Sequence, residues 1–388
     1  MVMIPSIKSF GIKVLLIDDQ PIVAEAIRRM LEIEKDIEFR YCQDATKALK
    51  IAEEYSPTVI LQDLVMPEMD GLDLLQSFRS NTFTRDVPLI VLSSKEDPIV
   101  KADAFALGAN DYLVKLPDKI ELIARIRYHS SAFIRLLERN VAYEQLAESQ
   151  RLLHGELADA ATYVRELLPK PLTGRISTKW EFIPSALLGG DAFGYYWLDE
   201  DFFVFYLLDV CGHGVRAALL SITVMNVLQA RTLQNANFYE PASVLKELNE
   251  HFPMEKNNEM YFTMWYGIYN SSTQTLCYAD AGHPPALLAQ KSGQLMQLKT
   301  GGMVIGAIKE VIYPQASVKV ASGDKLYVYS DGIYEIAKPD GTMLQIDDFV
   351  QYLTNNKAAQ LSDIIDYSKK LNGEKPFSDD LSIMEINF

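Results

Sequence analysis

Asp209-Val210-Cys211-Gly212-His213-Gly214 joins a carboxylate to a flexible glycine turn. A carboxylate there can hold a hard cation, and the glycines let backbone carbonyls approach it. Three further acids stand in similar settings: Asp191 in Leu188-Gly189-Gly190-Asp191, Asp331 in Ser330-Asp331-Gly332, and Asp379 in Ser378-Asp379-Asp380-Leu381-Ser382. Gathered in space, the four make an all-oxygen site suited to Mg2+ or Mn2+. Its chemistry would be metal-assisted, in-line hydrolysis of a phosphoester without a covalent intermediate. No convincing thiol or serine nucleophile accompanies it. Cys211 reads as a turn residue. His213 and His283, each in a Gly-His context, read equally as acids just outside the cation site or as loop residues. For Asp209 alone a capped turn explains as much. The matching acids elsewhere tip the balance.

A second constellation lies nearer the N-terminus. Asp18-Asp19, Asp63, Ser93-Ser94 and Lys115 each follow a short apolar run. Clustered carboxylates bind Mg2+ through oxygen. One of them can accept a phosphoryl group as an aspartyl-phosphate. A lysine and a hydroxyl then stabilise the phosphoryl oxygens. A single strand-end Asp is usually structural, but five such groups at four strand ends point to chemistry.

These groups require strands that end where they stand. Lys13 to Ile17, Thr58 to Gln62, Val87 to Leu92 and Tyr112 to Val114 read as short buried strands. Helical patterns such as Pro21 to Ile33 and Ala45 to Glu54 lie between them. Alternating strands and helices imply a doubly wound α/β domain with a parallel sheet, whose functional groups gather beyond the carboxyl ends of the strands. The C-terminal region differs. Runs at 180–183, 202–208, 264–269, 275–278, 286–289, 318–320, 325–329 and 381–386 read as strands, and 215–230 and 241–251 as helices. Strands in groups with helices between them suggest an α+β layered domain.

Between the two runs a helix, about 119 to 168. From Ala132 a four-three spacing continues through Leu136, Arg139, Tyr143, Leu146, Gln150, Leu153, Leu157, Ala160 and Val164 to Leu167, apolar except at Arg139 and Gln150. That suggests a coiled-coil seam, weakened at those two positions. The plainer alternative is one amphipathic helix packed on its own domain. Pro169 and Pro171 end the helix. The expected domains are 1–130, a helical linker 131–170, and 171–388.

Composition narrows the function classes. The formal net charge of −15 argues against a nucleic-acid partner by simple electrostatics. Cys42, Cys211 and Cys277 have no metal-ligand spacing and argue against a disulfide framework or zinc site. No apolar run is long enough to span a membrane and no signal-peptide pattern opens the chain, so a soluble, cytoplasmic protein is expected.

Residues 1 to about 130 resemble a response-regulator receiver domain. The matching motifs are Ile17-Asp18-Asp19, Asp63-Leu64-Val65-Met66-Pro67-Glu68-Met69-Asp70-Gly71, Leu92-Ser93-Ser94 and Asp111-Tyr112-Leu113-Val114-Lys115. The resemblance implies a five-stranded parallel sheet with Asp63 as phosphoacceptor. It implies Mg2+ held by Asp18, Asp19, Asp63 and the Val65 carbonyl, and Ser93, Tyr112 and Lys115 as switch hydroxyl, switch aromatic and phosphate-binding lysine. It also implies a sensor histidine kinase or phosphotransfer protein as partner. One departure is Leu116, where most receivers have proline at once. A cis Lys-Pro bond is therefore excluded at 115–116, and a different local loop is expected.

Residues 173–388 resemble the bacterial PPM (PP2C-type) serine/threonine phosphatases of the stage-II-sporulation-E and RsbU kind, a layered β-sandwich with flanking helices. The matching pieces are Gly189-Gly190-Asp191, Asp209-Val210-x-Gly212-His213-Gly214, Ala279-x-Ala281-Gly282-His283-Pro284-Pro285, Gly306, Ser330-Asp331-Gly332-Ile333-Tyr334-Glu335 and Asp379-Asp380. The resemblance implies two Mn2+ or Mg2+ ions bridged by Asp209. The Val210 carbonyl would join one, Asp331 and Asp379 would hold the other, and Asp191 would ligate directly or through water. Its usual substrate would be a phosphorylated anti-sigma-factor antagonist. The family often carries a second acid three residues after the first, where this chain has Gly194. The expectation is a receiver-controlled protein phosphatase, dimeric through the linker helix. The competing reading is a non-catalytic, phosphorylation-controlled adaptor, against which the retention of Asp191, Asp209, Asp331 and Asp379 counts.

Overall fold

A computed structural model describes residues 10–94, 97–338 and 341–388. The chain divides into two compact units, Met1–Leu152 and Leu153–Phe388. The first contains β1 (Ile12–Ile17), α1 (Pro21–Leu31), β2 (Ile37–Cys42), α2 (Ala48–Tyr55), β3 (Val59–Asp63), α3 (Gly71–Ser80), β4 (Leu89–Ser93), α4 (Pro98–Ala106) and β5 (Asp111–Val114). Every strand pair is parallel, in the order β2-β1-β3-β4-β5. Apolar residues fill both faces of the sheet. Leu15, Ile17, Ile60 and Val91 bury on one side, and Val14, Leu16, Leu61 and Ile90 on the other. A parallel sheet covered by helices on both faces requires such continuous apolar strands. β2 is an edge strand, with Glu38 and Arg40 exposed on alternate positions.

Helix α5 (Lys119–Leu167) is 49 residues long and runs without interruption through Gly155. Leu122, Ile126 and Ser130 bury against the first unit. From there outward the apolar side chains turn to solvent: Tyr143, Leu146, Leu152, Leu153 and Tyr163 are all exposed. The helix stops where Leu168 meets Pro169, as the prolines require.

The second unit contains β6 (Ser177–Ile183), β7 (Ala192–Trp197), β8 (Phe202–Val210), α6 (Val215–Gln229), α7 (Pro241–His251), β9 (Phe262–Asn270), β10 (Thr275–Ala281), β11 (Ala286–Ala289), β12 (Leu295–Leu298), β13 (Ala316–Lys319), β14 (Lys325–Tyr329), α8 (Ile346–Asn355), α9 (Leu361–Leu371) and β15 (Leu381–Asn387). They form two antiparallel sheets, β13-β10-β9-β8-β7 and β12-β11-β14-β15-β6. Phe205, Trp265 and Tyr278 stack in a row, with centroids 5.7 Å apart. The Trp265 indole donates to the Leu298 carbonyl of the second sheet at 3.2 Å, which fixes that row between the sheets. Val224, Leu228, Leu245 and Leu248 of α6 and α7 join the same core. Phe349, Leu353, Ile364 and Ile365 of α8 and α9 cover Leu287, Tyr327 and Ile383 on the second sheet. Among the described residues, no helix is long and apolar enough to cross a membrane.

Candidate active sites

In the first unit the parallel register delivers the acids to one end of the sheet. Asp63 is the last residue of β3 and Ser93 the last of β4, while Asp18 and Asp19 follow β1 and Lys115 follows β5. Asp18, Asp19 and Asp63 each offer an oxygen within 4.8 Å of the others. The Lys115 ammonium lies 2.7 Å from Oδ2 of Asp18 and 2.7 Å from Oδ2 of Asp63. All three side chains are almost entirely buried, so water screens these pairs weakly. Burial pushes the Asp18 carboxyl up, and its bond to Lys115 works against that. The Val65 amide donates to Asp63 Oδ1 at 3.3 Å, which holds the following loop against the acid. Three carboxylates facing one ammonium leave negative charge in excess, and oxygen ligands of this kind suit Mg2+. Tyr112 is buried, with the Lys101 ammonium 5.4 Å from its ring centre. The Lys115–Leu116 peptide is cis.

In the second unit each acid stands at a strand boundary. Asp191 immediately precedes β7 and Asp209 is the penultimate residue of β8. Asp331 follows β14 by two residues, and Asp379 precedes β15 by two. The Asp209 carboxyl is pushed up to about 8, first by burial and then by the charges of Asp331, Asp379 and Asp380. Asp331 is pushed up to about 6 by burial, Glu335 and Asp379. Asp379 is raised by burial, which the bond from the Asp380 amide opposes, and by the Asp380 charge, which His213 opposes. Asp191 is raised well above the carboxylate range by burial, Asp209 and Asp380. Asp209 thus lies near enough to feel Asp331 and Asp379, and Asp191 near enough to feel Asp209. They are more loosely spaced than the Asp18, Asp19 and Asp63 group, which among the described residues is the one whose oxygens approach within 4.8 Å.

Both Asp191 carboxylate oxygens and Oδ1 of Asp331 are buried without a hydrogen bond. The Ser330 and Ser382 hydroxyls stand beside Asp191 but do not complete bonds of normal geometry. Buried, unbonded, mutually repelling carboxylates are costly unless something positive joins them. The donor set, all oxygen, fits Mg2+ or Mn2+.

Cys211 forms a turn contact with Tyr261, its amide donating to the Tyr261 carbonyl at 3.0 Å and its sulfur accepting from the Tyr261 amide at 3.3 Å. His213 is exposed. His283 is wholly buried, with Nδ1 2.8 Å from Thr263 Oγ1, and burial lowers it to about 3. A side chain at Gly194 would collide with the Tyr206 phenol, so the acid often found there has no room. Sequence reasoning missed Asp380. It is buried between the Asp191 and Asp331 loops and accepts a backbone bond from Ser185, 195 residues away. Its adjacency to Asp379 was visible, but its partners were not.

Residues 14–127 match the response regulator receiver domain family. Residues 199–388 match the family of stage II sporulation protein E, SpoIIE. The chain therefore pairs an N-terminal response-regulator receiver domain with a C-terminal phosphatase domain of the SpoIIE/PP2C type. Among individual relatives, the phosphoserine phosphatase RsbP of Bacillus subtilis is 31% identical over 155 residues, covering 39% of this chain and 38% of RsbP. This chain thus spans well under half of RsbP. The Regulator of RpoS of Escherichia coli is 27% identical over 285 residues, covering 71% of this chain and 82% of that protein. The solved SiaA-PP2C domain of Pseudomonas aeruginosa shares the fold, with a TM-score of 0.55 at 20% identity, covering 62% of this chain and 98% of that domain.

Proposed function

We propose that this chain is a two-component response regulator in which phosphorylation of Asp63 controls a metal-dependent serine/threonine phosphatase. The observation that supports the reading most is that the segments of Asp191, Asp331 and Asp379 meet at Asp380, with both Asp191 oxygens and Oδ1 of Asp331 buried without a hydrogen bond. Burial raises all four carboxyls, and Asp209 also feels the charges of Asp331 and Asp379. Asp209 would bridge two divalent ions, with the Val210 carbonyl on one, Asp331 and Asp379 on the other, and Asp191 direct or through water. Bound Mn2+ or Mg2+ would supply Lewis acidity for attack of water on a phosphoester. The relative RsbP, named a phosphoserine phosphatase, supports a phosphoserine or phosphothreonine substrate. A phosphorylated anti-sigma-factor antagonist is the substrate proposed.

At the receiver, an Asp63 oxygen would attack phosphorus while the donor's bond to phosphorus breaks, leaving an aspartyl-phosphate. The donor would be a sensor histidine kinase or phosphotransfer protein. Lys115 would hold the phosphoryl oxygens, with Asp18, Asp19, Asp63 and the Val65 carbonyl around Mg2+. Ser93 and Tyr112 would relay the change. The exposed Leu146 and Leu153, with half-buried Leu157, support pairing of two copies along α5. We place the protein in the cytoplasm.

A non-catalytic adaptor is the second reading. It is favoured by the Regulator of RpoS, which aligns over most of the chain and is named for regulation. The test is hydrolysis of a chromogenic phosphoester with Mn2+, before and after treatment with acetyl phosphate or beryllofluoride. Mn2+-dependent turnover that changes with the receiver's state supports the phosphatase. Its absence in both states, with a folded protein, supports the adaptor.

A further inference from the structure

Asp380 is 2% exposed. Its Oδ1 accepts from the Ser185 amide at 2.7 Å and the Ser185 hydroxyl at 2.9 Å. Its Oδ2 accepts from the Gly190 amide at 2.5 Å. Its own amide donates to Asp379 Oδ1 at 2.8 Å, and its carbonyl accepts from the Ser330 hydroxyl at 3.1 Å. One residue thus touches the segments carrying Asp191, Asp331 and Asp379. The packing leaves no slack. A Cβ on Gly189 would lie 2.6 Å from Asp380 Oδ2, one on Gly190 2.7 Å from the Val210 carbonyl, and one on Gly332 would collide with the Asp380 carbonyl. The two glycines before Asp191 are therefore wedged between Asp380 and the end of β8.

We infer that Asp380 is the positioning residue of the C-terminal site, its carboxylate clamping the Ser185–Asp191 segment so that Asp191 faces Asp209. This rests on the proposed metal-dependent reading of that site. A carboxylate accepts three donors with both oxygens here, whereas an amide would turn an NH2 toward the Gly190 N–H. Removing it frees the loop that aims Asp191, and groups that orient ligands typically shift metal affinity by about 10–100-fold when lost.

The experiment uses the full-length chain. Mn2+ binding is followed by calorimetry, and the Mn2+ concentration for half-maximal phosphoester hydrolysis is measured alongside. Asp380→Ala is compared with Asp380→Asn and with a control at Asp324. Asp324 is equally buried and accepts from the Lys291 and Ala321 amides at 2.8 and 2.9 Å, in a turn before β14. Asp380→Ala should weaken Mn2+ binding about tenfold or more, Asp380→Asn should fall between, and Asp324→Ala should keep wild-type Mn2+ affinity even if it lowers the unfolding midpoint. Wild-type Mn2+ affinity in Asp380→Ala would overturn the inference, as would an equal loss in Asp324→Ala. If Asp380→Ala fails to fold, Asp380→Asn carries the comparison. Hydrogen exchange of residues 185–191 without metal tests the clamp separately: faster exchange in Asp380→Asn supports it and unchanged exchange overturns it. A wild-type chain that binds no Mn2+ would instead overturn the metal-dependent reading on which the inference stands.

Discussion

His283 lies in the Gly-His-Pro-Pro motif, yet its surroundings give it a stability role with a definite pH signature. The ring is wholly buried between the Thr263 hydroxyl of β9 and the end of β14, and burial lowers it from 6.5 to about 3. A base depressed in this way is neutral when folded, while the unfolded chain binds the proton below pH 6.5. Stability from His283 is therefore complete above pH 6.5 and is lost as pH falls toward 3. One proton over the two units from pH 6.5 to 4.5 costs about 2.7 kcal/mol. Raised carboxylates such as Asp209 act in the opposite direction, so the wild type alone would blur the effect. His283→Asn removes the titration and keeps an acceptor for Thr263. All three tryptophans, Trp180, Trp197 and Trp265, belong to the second unit, so their fluorescence in urea reports its unfolding selectively. The stability of the wild type relative to His283→Asn should fall by about 2–3 kcal/mol between pH 7 and 4.5. A pH-independent difference would refute the buried neutral imidazole.

Two further outcomes concern the receiver and the helix. Asp63→Asn should abolish stable phosphorylation by acetyl phosphate, and the wild-type label should be released by hydroxylamine; equal labelling of the variant would place the phosphoacceptor elsewhere. Replacing Leu146, Leu153 and Leu157 together with Glu should split the proposed dimer, since like charges would then face one another along the seam, and should uncouple hydrolysis from Asp63 phosphorylation. A variant that is monomeric by light scattering yet fully regulated would refute coupling through α5.

Most of the strands that carry the acids were legible because both of their faces are buried, β7 beside Asp191 being the exception. Runs such as Lys13 to Ile17 and Phe202 to Leu208 are apolar at nearly every position, which is what central strands need. β2 was not singled out because Glu38 and Arg40 face water on an edge strand and break its apolar run. β7 was hidden by Gly194, whose place is taken by the Tyr206 phenol. Helices α8 and α9 did leave a signal: Gln345 with Asp348 and Gln360 with Asp363 form capping boxes ahead of apolar helical spacing. The acids were found by their glycine and serine neighbours. Asp380 and its partner Ser185 were not, because a contact across 195 residues exists only once β6 and β15 pair.

The most direct test of the central claim is the Mn2+ dependence of phosphoester hydrolysis by the wild type and Asp209→Asn, both shown to be folded by the tryptophan signal. A carboxylate placed to bridge two ions offers two anionic oxygens, and an amide offers one weak neutral ligand. Loss of several kcal/mol of charge stabilisation corresponds to about a hundredfold or more in rate. The account predicts Mn2+-dependent turnover in the wild type and at least that loss in a folded Asp209→Asn. Undiminished, Mn2+-dependent activity in the folded variant would contradict it.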